Sequence, residues 1–113
     1  MIIALHRFHG HNSLRFVYAN SKTFRSSLFA IKVADNPRRK SYRCAVVVSK
    51  KVSKSAVVRN RIRRRLYEQV RTHNITGPVD MVVTVFNADV ATMPAPELQT
   101  AFQALLGQSG VIE

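Results

Sequence analysis

Five of the seven positions from Arg59 to Arg65 are arginine, the other two are Asn60 and Ile62, and no carboxylate stands among them. A guanidinium is a planar fork of donors that matches phosphate oxygens two at a time, and a neutral amide such as Asn60 can donate and accept between such forks. Lys50 and Lys51 stand shortly ahead of the block. Like charges this dense repel one another, so the stretch is costly unless a polyanion neutralises it. The wider distribution agrees. The net charge is +12, and twelve of the eighteen Lys and Arg residues lie between Arg38 and Arg65. No acidic residue occurs between Asp35 and Glu68, and no Lys or Arg follows Arg71. Solvated surfaces ordinarily mix signs, and this one does not. Nucleic acid is the natural partner.

Catalytic chemistry is harder to assemble. Hydrolysis by the chain itself needs a nucleophile with a base, paired carboxylates or a metal cage. The six carboxylates, at 35, 68, 80, 89, 97 and 113, have no spacing that brings two of them together on a helix face or strand. There is no Cys pair, no His-Glu-x-x-His, no P-loop and no glycine-rich dinucleotide turn. His6, His9 and His11 form the one local cluster that suggests a metal, but they lack a neighbouring cysteine or carboxylate, so we assign no metal to the protein. The single cysteine, Cys44, sits in an apolar run and reads as a small buried hydrophobe in a reducing, cytoplasmic setting.

These residues need elements to hold them. The chain has 113 residues, enough for one domain with one core, and no apolar run long enough to span a bilayer. The N-terminus carries no signal-peptide pattern. Asn12 or Ser13 can cap a short helix running to about Asn20. Residues 27–34 alternate, with Phe29, Ile31 and Val33 on one face and Leu28, Ala30 and Lys32 on the other. Residues 42–49 form a second strand whose Ala45–Val48 run implies burial on both faces, and the two strands are expected to pair as an antiparallel hairpin. A helix follows from an N-cap at Ser55 to Thr72 or His73, with Val58, Ile62, Leu66, Gln69 and Val70 along one flank. Asn60, Arg61, Arg64 and Arg71 then point outward, and Arg63 and Arg65 lie on the flanks. Residues 79–88 give a third strand. A last amphipathic helix presents Leu98, Ala101, Phe102, Leu105 and Leu106, and Gly107 is expected to end it. The fold class is α+β, a small two-layer sandwich in the order α-β-β-α-β-α. It is a single RNA-binding domain over 1–113, with 1–11 and 108–113 expected to fray.

Ser49-Lys50-Lys51, a short loop, Ala56-Val57 and then Arg59-Asn60-Arg61 opening a basic helix together resemble the signature of the bacterial ribonuclease P protein subunit. Arg7-Phe8 with Leu14 and Val17-Tyr18 resembles that family's first helix, residues 23–33 its first strand, and the similarity extends over about 7–106. The resemblance implies a protein that assists a catalytic RNA in cleaving the 5′ leader from precursor tRNA, with magnesium bound mainly by the RNA. It implies an accessory subunit of an endoribonuclease, with no catalytic residue in this chain and a left-handed crossover bringing the basic helix beside the sheet. By the same resemblance Lys50, Lys51, Arg59, Asn60, Arg61, Arg63, Arg64 and Arg65 contact the RNA subunit. A concave sheet face bordered by the first helix holds the leader, where Leu14, Tyr18 and Lys32 stand at the matching positions. Leu14 replaces a common phenylalanine, and Lys32 stands where an aromatic is frequent, so this cleft leans more on charge than on stacking. The partners implied are the catalytic RNA and precursor tRNA, with no membrane and no small-molecule substrate.

Two other readings stand beside this one. A ribosomal or ribosome-assembly protein is also small, basic and α+β. A stand-alone nuclease would need Asp35, Asp80 and Asp89 to meet in the fold.

Overall fold

A computed structural model describes residues 11–37, 41–73, 75 and 77–110, with the backbone alone for 11–15. The elements are α1 (His11–Asn20), β1 (Lys22–Arg25), β2 (Phe29–Asp35), β3 (Arg43–Val47), α2 (Ala56–Thr72), β4 (Val79–Val85), a 3-10 helix (Ala88–Ala91) and α3 (Ala95–Ser109). The class is α+β, as the alternation of periodicities predicts. The strand β1 is an addition to the expected order. It is short and polar, and it pairs antiparallel with β2 through a turn in which the Ser26 hydroxyl accepts from the N–H groups of Leu28 and Phe29 (3.2 and 3.4 Å).

The expected hairpin between residues 27–34 and 42–49 does not form. The sheet order is β1-β2-β4-β3, so β4 lies between them, antiparallel to β2 and parallel to β3. The reason is burial. Six of the seven residues of β4 are buried, so both of its faces are dry, and a strand of that kind belongs at the centre of a sheet. A parallel neighbour requires a crossover of a dozen or more residues. The 17-residue α2 provides it.

Both faces of the sheet are covered, unequally. Phe29, Ile31, Cys44, Val46, Met81 and Val83 point to one side, where Ile62, Leu66 and Val70 of α2 and Leu98, Phe102 and Leu106 of α3 complete the main core. Phe29 and Phe102 meet there with tilted rings 5.6 Å apart. On the other side a smaller cluster seats Val17 of α1 on Ala34, Ala45 and Val82. This explains how β3 is buried on both faces although it is an edge strand. Its edge is partly closed by Tyr67, whose hydroxyl accepts from the Val46 N–H at 3.1 Å.

The helix ends follow their local chemistry. Ser55 caps α2, its hydroxyl accepting from the Val58 N–H at 3.3 Å. Gly107 does not end α3. It stays helical, and the left-handed residue is Gly110 (φ 78°), one turn later, with its N–H directed at the Gly107 carbonyl. The apolar face stops at Leu106, so the last turn is carried by polar residues.

Two outcomes test this packing. Cys44 is fully buried and desolvation pushes its thiol up to about 12. The native protein is therefore expected to resist a thiol reagent at pH 8 and to react only on unfolding; rapid native labelling would place β3 wrongly. Ile62 is 0% exposed whereas Arg61 is exposed. Ile62→Asp buries an unpaired carboxylate, a cost of several kcal/mol against a domain total of roughly 5–15 kcal/mol, while Arg61→Ala removes no packing. Circular dichroism melts should show no cooperative transition for the first and a nearly unchanged midpoint for the second.

Candidate nucleic-acid interface

The basic block begins at a turn. After β3, Val52 N–H closes on the Ser49 carbonyl (3.1 Å) and leaves Lys50 and Lys51 exposed at the bend. Arg59 reaches back from α2 and donates from Nη1 to the Ser53 carbonyl (2.9 Å), which ties this loop to the helix. The first turn of α2 has no acidic residue, so Arg59 sits at the positive end of the helix dipole with nothing local to offset it. That arrangement costs folding energy and suits an anion.

Along α2 the arginines divide by direction. Arg61 and Arg64 are exposed, and neither has a hydrogen-bond or ionic partner among the described residues. Asn60 is exposed and its Oδ1 accepts from Arg63 Nη1 at 2.6 Å, which holds that guanidinium along the helix. Arg65 turns the other way. Its Nη1 and Nη2 donate to the carbonyls of Val90 (2.7 Å) and Met93 (2.5 Å), so it clamps α2 to the 3-10 helix. Sequence spacing put Arg65 on a flank but could not show that the flank faces carbonyls. Glu68 pairs with Arg71, with Arg71 Nε donating to its Oε1 at 2.9 Å, and this bond holds the carboxyl down at about 2. Glu68 thus remains charged, and it neutralises Arg71 rather than Arg61 or Arg64.

A second surface lies on the α1 side of the sheet. Cross-strand register aligns Thr23, Lys32, Val82 and Ala45 in one row and Arg25, Ala30, Thr84 and Val47 in the next. Val17 of α1 covers the first row from above. In the second row Ala30, Thr84 and Val47 form a floor of small side chains beside the helix. Tyr18, 49% exposed, and Lys32 are brought together there, with the Lys32 Nζ 5.8 Å from the ring centroid and 3.0 Å from Thr23 Oγ1. The Leu14 side chain, and the His6, His9 and His11 side chains, lie outside the described residues. Sequence reasoning missed a further pair, Arg25 and Phe86. The Arg25 guanidinium carbon lies 5.0 Å from the Phe86 ring centroid, and that ring is 41% exposed. Alternation alone could not have found it, because it needs the β1–β2 register.

The carboxylates do not gather. Asp80 is fully buried between Arg43, which donates to both its oxygens (2.9 and 2.8 Å), and Asn36 Nδ2 (2.8 Å). Asp35 is one position out of step with Ala34, the residue opposite Asp80, so it points to the other face of the sheet. Asp89 lies in the 3-10 helix. Among the described residues no three His, Cys, Asp or Glu side chains come close enough to hold a metal ion. Likewise, no helix among them is long and apolar enough to cross a membrane.

A positively charged helix and turn at one end of a four-stranded sheet, with an open sheet face bordered by aromatics, define a small basic α+β domain with two anion-suited surfaces. Comparison with known proteins places it more closely. The Ribonuclease P family model matches residues 4–110. The ribonuclease P protein component of Roseiflexus castenholzii is 37% identical over 99 residues, covering 86% of this chain and 80% of that protein. That of Chloroflexus aurantiacus is 40% identical over 97 residues, covering 84% and 70%. The fold matches the RNase P protein of Staphylococcus aureus with a TM-score of 0.83 at 22% identity over 96% of this chain and 98% of that one. The RNase P protein from Thermotoga maritima gives a TM-score of 0.73 at 20% identity, covering 84% and 89%. The chain belongs to the ribonuclease P protein family.

Proposed function

We propose that this protein is the protein component of a ribonuclease P, a part of an endoribonuclease whose catalysis resides in its RNA. In this reading Lys50, Lys51, Arg61 and Arg64 bind phosphates of the catalytic RNA directly, with Arg59 contributing from a position fixed by its bond to the Ser53 carbonyl, and Asn60 and Arg63 from positions fixed by the bond between them. Arg65 supports the same interface by holding α2 against Val90 and Met93. The open sheet face takes the single-stranded 5′ leader of precursor tRNA, with Tyr18 stacking and Lys32 supplying charge; Leu14 belongs to the same helix. The observation that carries the proposal is the rank of exposed cations, Arg61 and Arg64 with the Lys50–Lys51 turn, on a helix whose other face is anchored in the core.

Magnesium belongs to the RNA in this reading. The chain supplies charge that offsets phosphate repulsion between the RNA and its substrate, so that fewer cations are needed to bring the two together. The reaction is leader removal from precursor tRNA. The protein is expected to restore cleavage by the bare catalytic RNA at magnesium too low for the RNA alone, and to cleave nothing by itself. Cleavage by the protein without RNA would overturn the assignment of catalysis, and failure to rescue would overturn the assignment as subunit.

A further inference from the structure

Phe86 follows the last residue of β4 and is not part of either core cluster. A phenylalanine left 41% exposed forgoes burial that the fold could have used. It is not isolated, since Arg25 of the neighbouring β-hairpin reaches over it at 5.0 Å. The pair stands next to the floor formed by Ala30, Thr84 and Val47, at the end of the sheet where β4 and β3 both exit. Because those strands are parallel, the chain leaving β3 enters the Lys50–Lys51 turn at that same end. Tyr18 and Lys32 mark the other side of the floor. The strand face between them carries one carboxylate, Asp80, which is buried against Arg43. Asp89, the nearest in sequence, belongs to a 3-10 helix whose Val90 and Ala91 enter the opposite core. The surroundings of the ring are therefore cationic, and they favour a polyanion with flat apolar groups over a protein partner.

We propose that Phe86 and Arg25 form a second base-stacking platform for single-stranded RNA, one that continues the Tyr18–Lys32 face toward the basic turn. A base stacks on the water-facing side of the Phe86 ring, and Arg25 meets the adjoining phosphate or adds its own planar surface. The proposal rests on the leader-binding reading of the sheet face and adds a defined position to it. A leader that reaches this platform would run from the α1 side toward Lys50, where the RNA-subunit surface begins.

The chain contains no tryptophan, so Phe86→Trp and Tyr18→Trp each introduce a single tryptophan that can be excited apart from the tyrosines. Each variant, checked by thermal melt to be folded, is titrated with short single-stranded RNA and with an abasic oligomer of equal length. Saturable quenching of both by RNA, and little by the abasic oligomer, is expected. Phe86→Ala should weaken RNA binding by roughly 5–150-fold, the range for losing one stacked base. Quenching at Tyr18→Trp but not at Phe86→Trp would overturn the platform and leave the leader reading intact. Quenching at neither would overturn both. Equal quenching by the abasic oligomer would mean phosphate contact alone, and would also overturn the platform.

Discussion

Arg43→Met is expected to destabilise the protein by about 3–5 kcal/mol, a large share of what a domain of this size has. The cause is the company it leaves behind. Asp80 is 0% exposed, and Arg43 supplies two of the donors to its carboxylate, at 2.9 and 2.8 Å. The Asn36 amide also donates to the carboxylate, at 2.8 Å, but an amide carries no charge to offset an anion. The reverse substitution should be milder. The Arg43 side chain is 14% exposed and has a long stem, so after Asp80→Asn its guanidinium can turn toward water. Urea denaturation of the two variants measures this directly. Equal costs, or a larger cost for Asp80→Asn, would mean that the pair is not held as described. The position gives the asymmetry wider weight, because Arg43 and Asp80 are directly opposite in the parallel β3–β4 ladder and Asn36 follows β2. The network therefore joins three segments that chain order alone would not have joined.

For the RNA partner proposed above, affinity is expected to fall roughly 10³–10⁵-fold between 50 and 200 mM salt if about six to ten of the cations meet phosphates, and less where the contacts are to single strands. Arg61→Ala with Arg64→Ala should weaken binding and reduce the slope of log affinity against log salt by about two, since each removes one counterion-releasing contact. Arg65→Ala tests a different role. Its guanidinium already serves the Val90 and Met93 carbonyls, so its loss should lower the melting midpoint while changing the salt slope little. Filter binding across a salt series gives the slopes. A wild-type affinity that ignores salt would remove the phosphate reading of this helix altogether.

The basic surface was legible in the sequence because its signal is local. A helix with Ile62, Leu66 and Val70 on one stripe must turn Arg61 and Arg64 outward, and Ser55 fixes where that helix starts. The same locality made the core faces of β2 and α3 readable. Strand order was not local. Residues 27–34 and 42–49 are neighbours in sequence with a turn between them, which favours a hairpin until the third strand competes for the centre. The largely apolar segment at 79–85, with Met81, Val82 and Val83 in succession, carried that information, and it outweighs proximity because a central strand must be dry on both sides. Arg65 and the Arg25–Phe86 pair were illegible for a related reason. Each depends on a partner distant in sequence, and nothing in an arginine's own neighbours says whether its fork meets a phosphate, a carbonyl or a ring.

The place of β4 at the centre of the sheet has a consequence for synthesis. The ribosome releases β1, β2, β3 and α2 before the strand that joins β2 to β3 exists. Until Val79–Val85 emerges, β3 has no partner in the sheet, and the stripe of α2 has only part of its seat. The nascent chain thus displays its densest cationic segment on an incomplete scaffold, close to ribosomal RNA. Its final fold must come as one late closure rather than by growth from the N-terminus. A chain released before residue 79 should be unfolded and sticky toward RNA, and the remaining segment, with β4 and α3, converts it from an indiscriminate polycation into a shaped one.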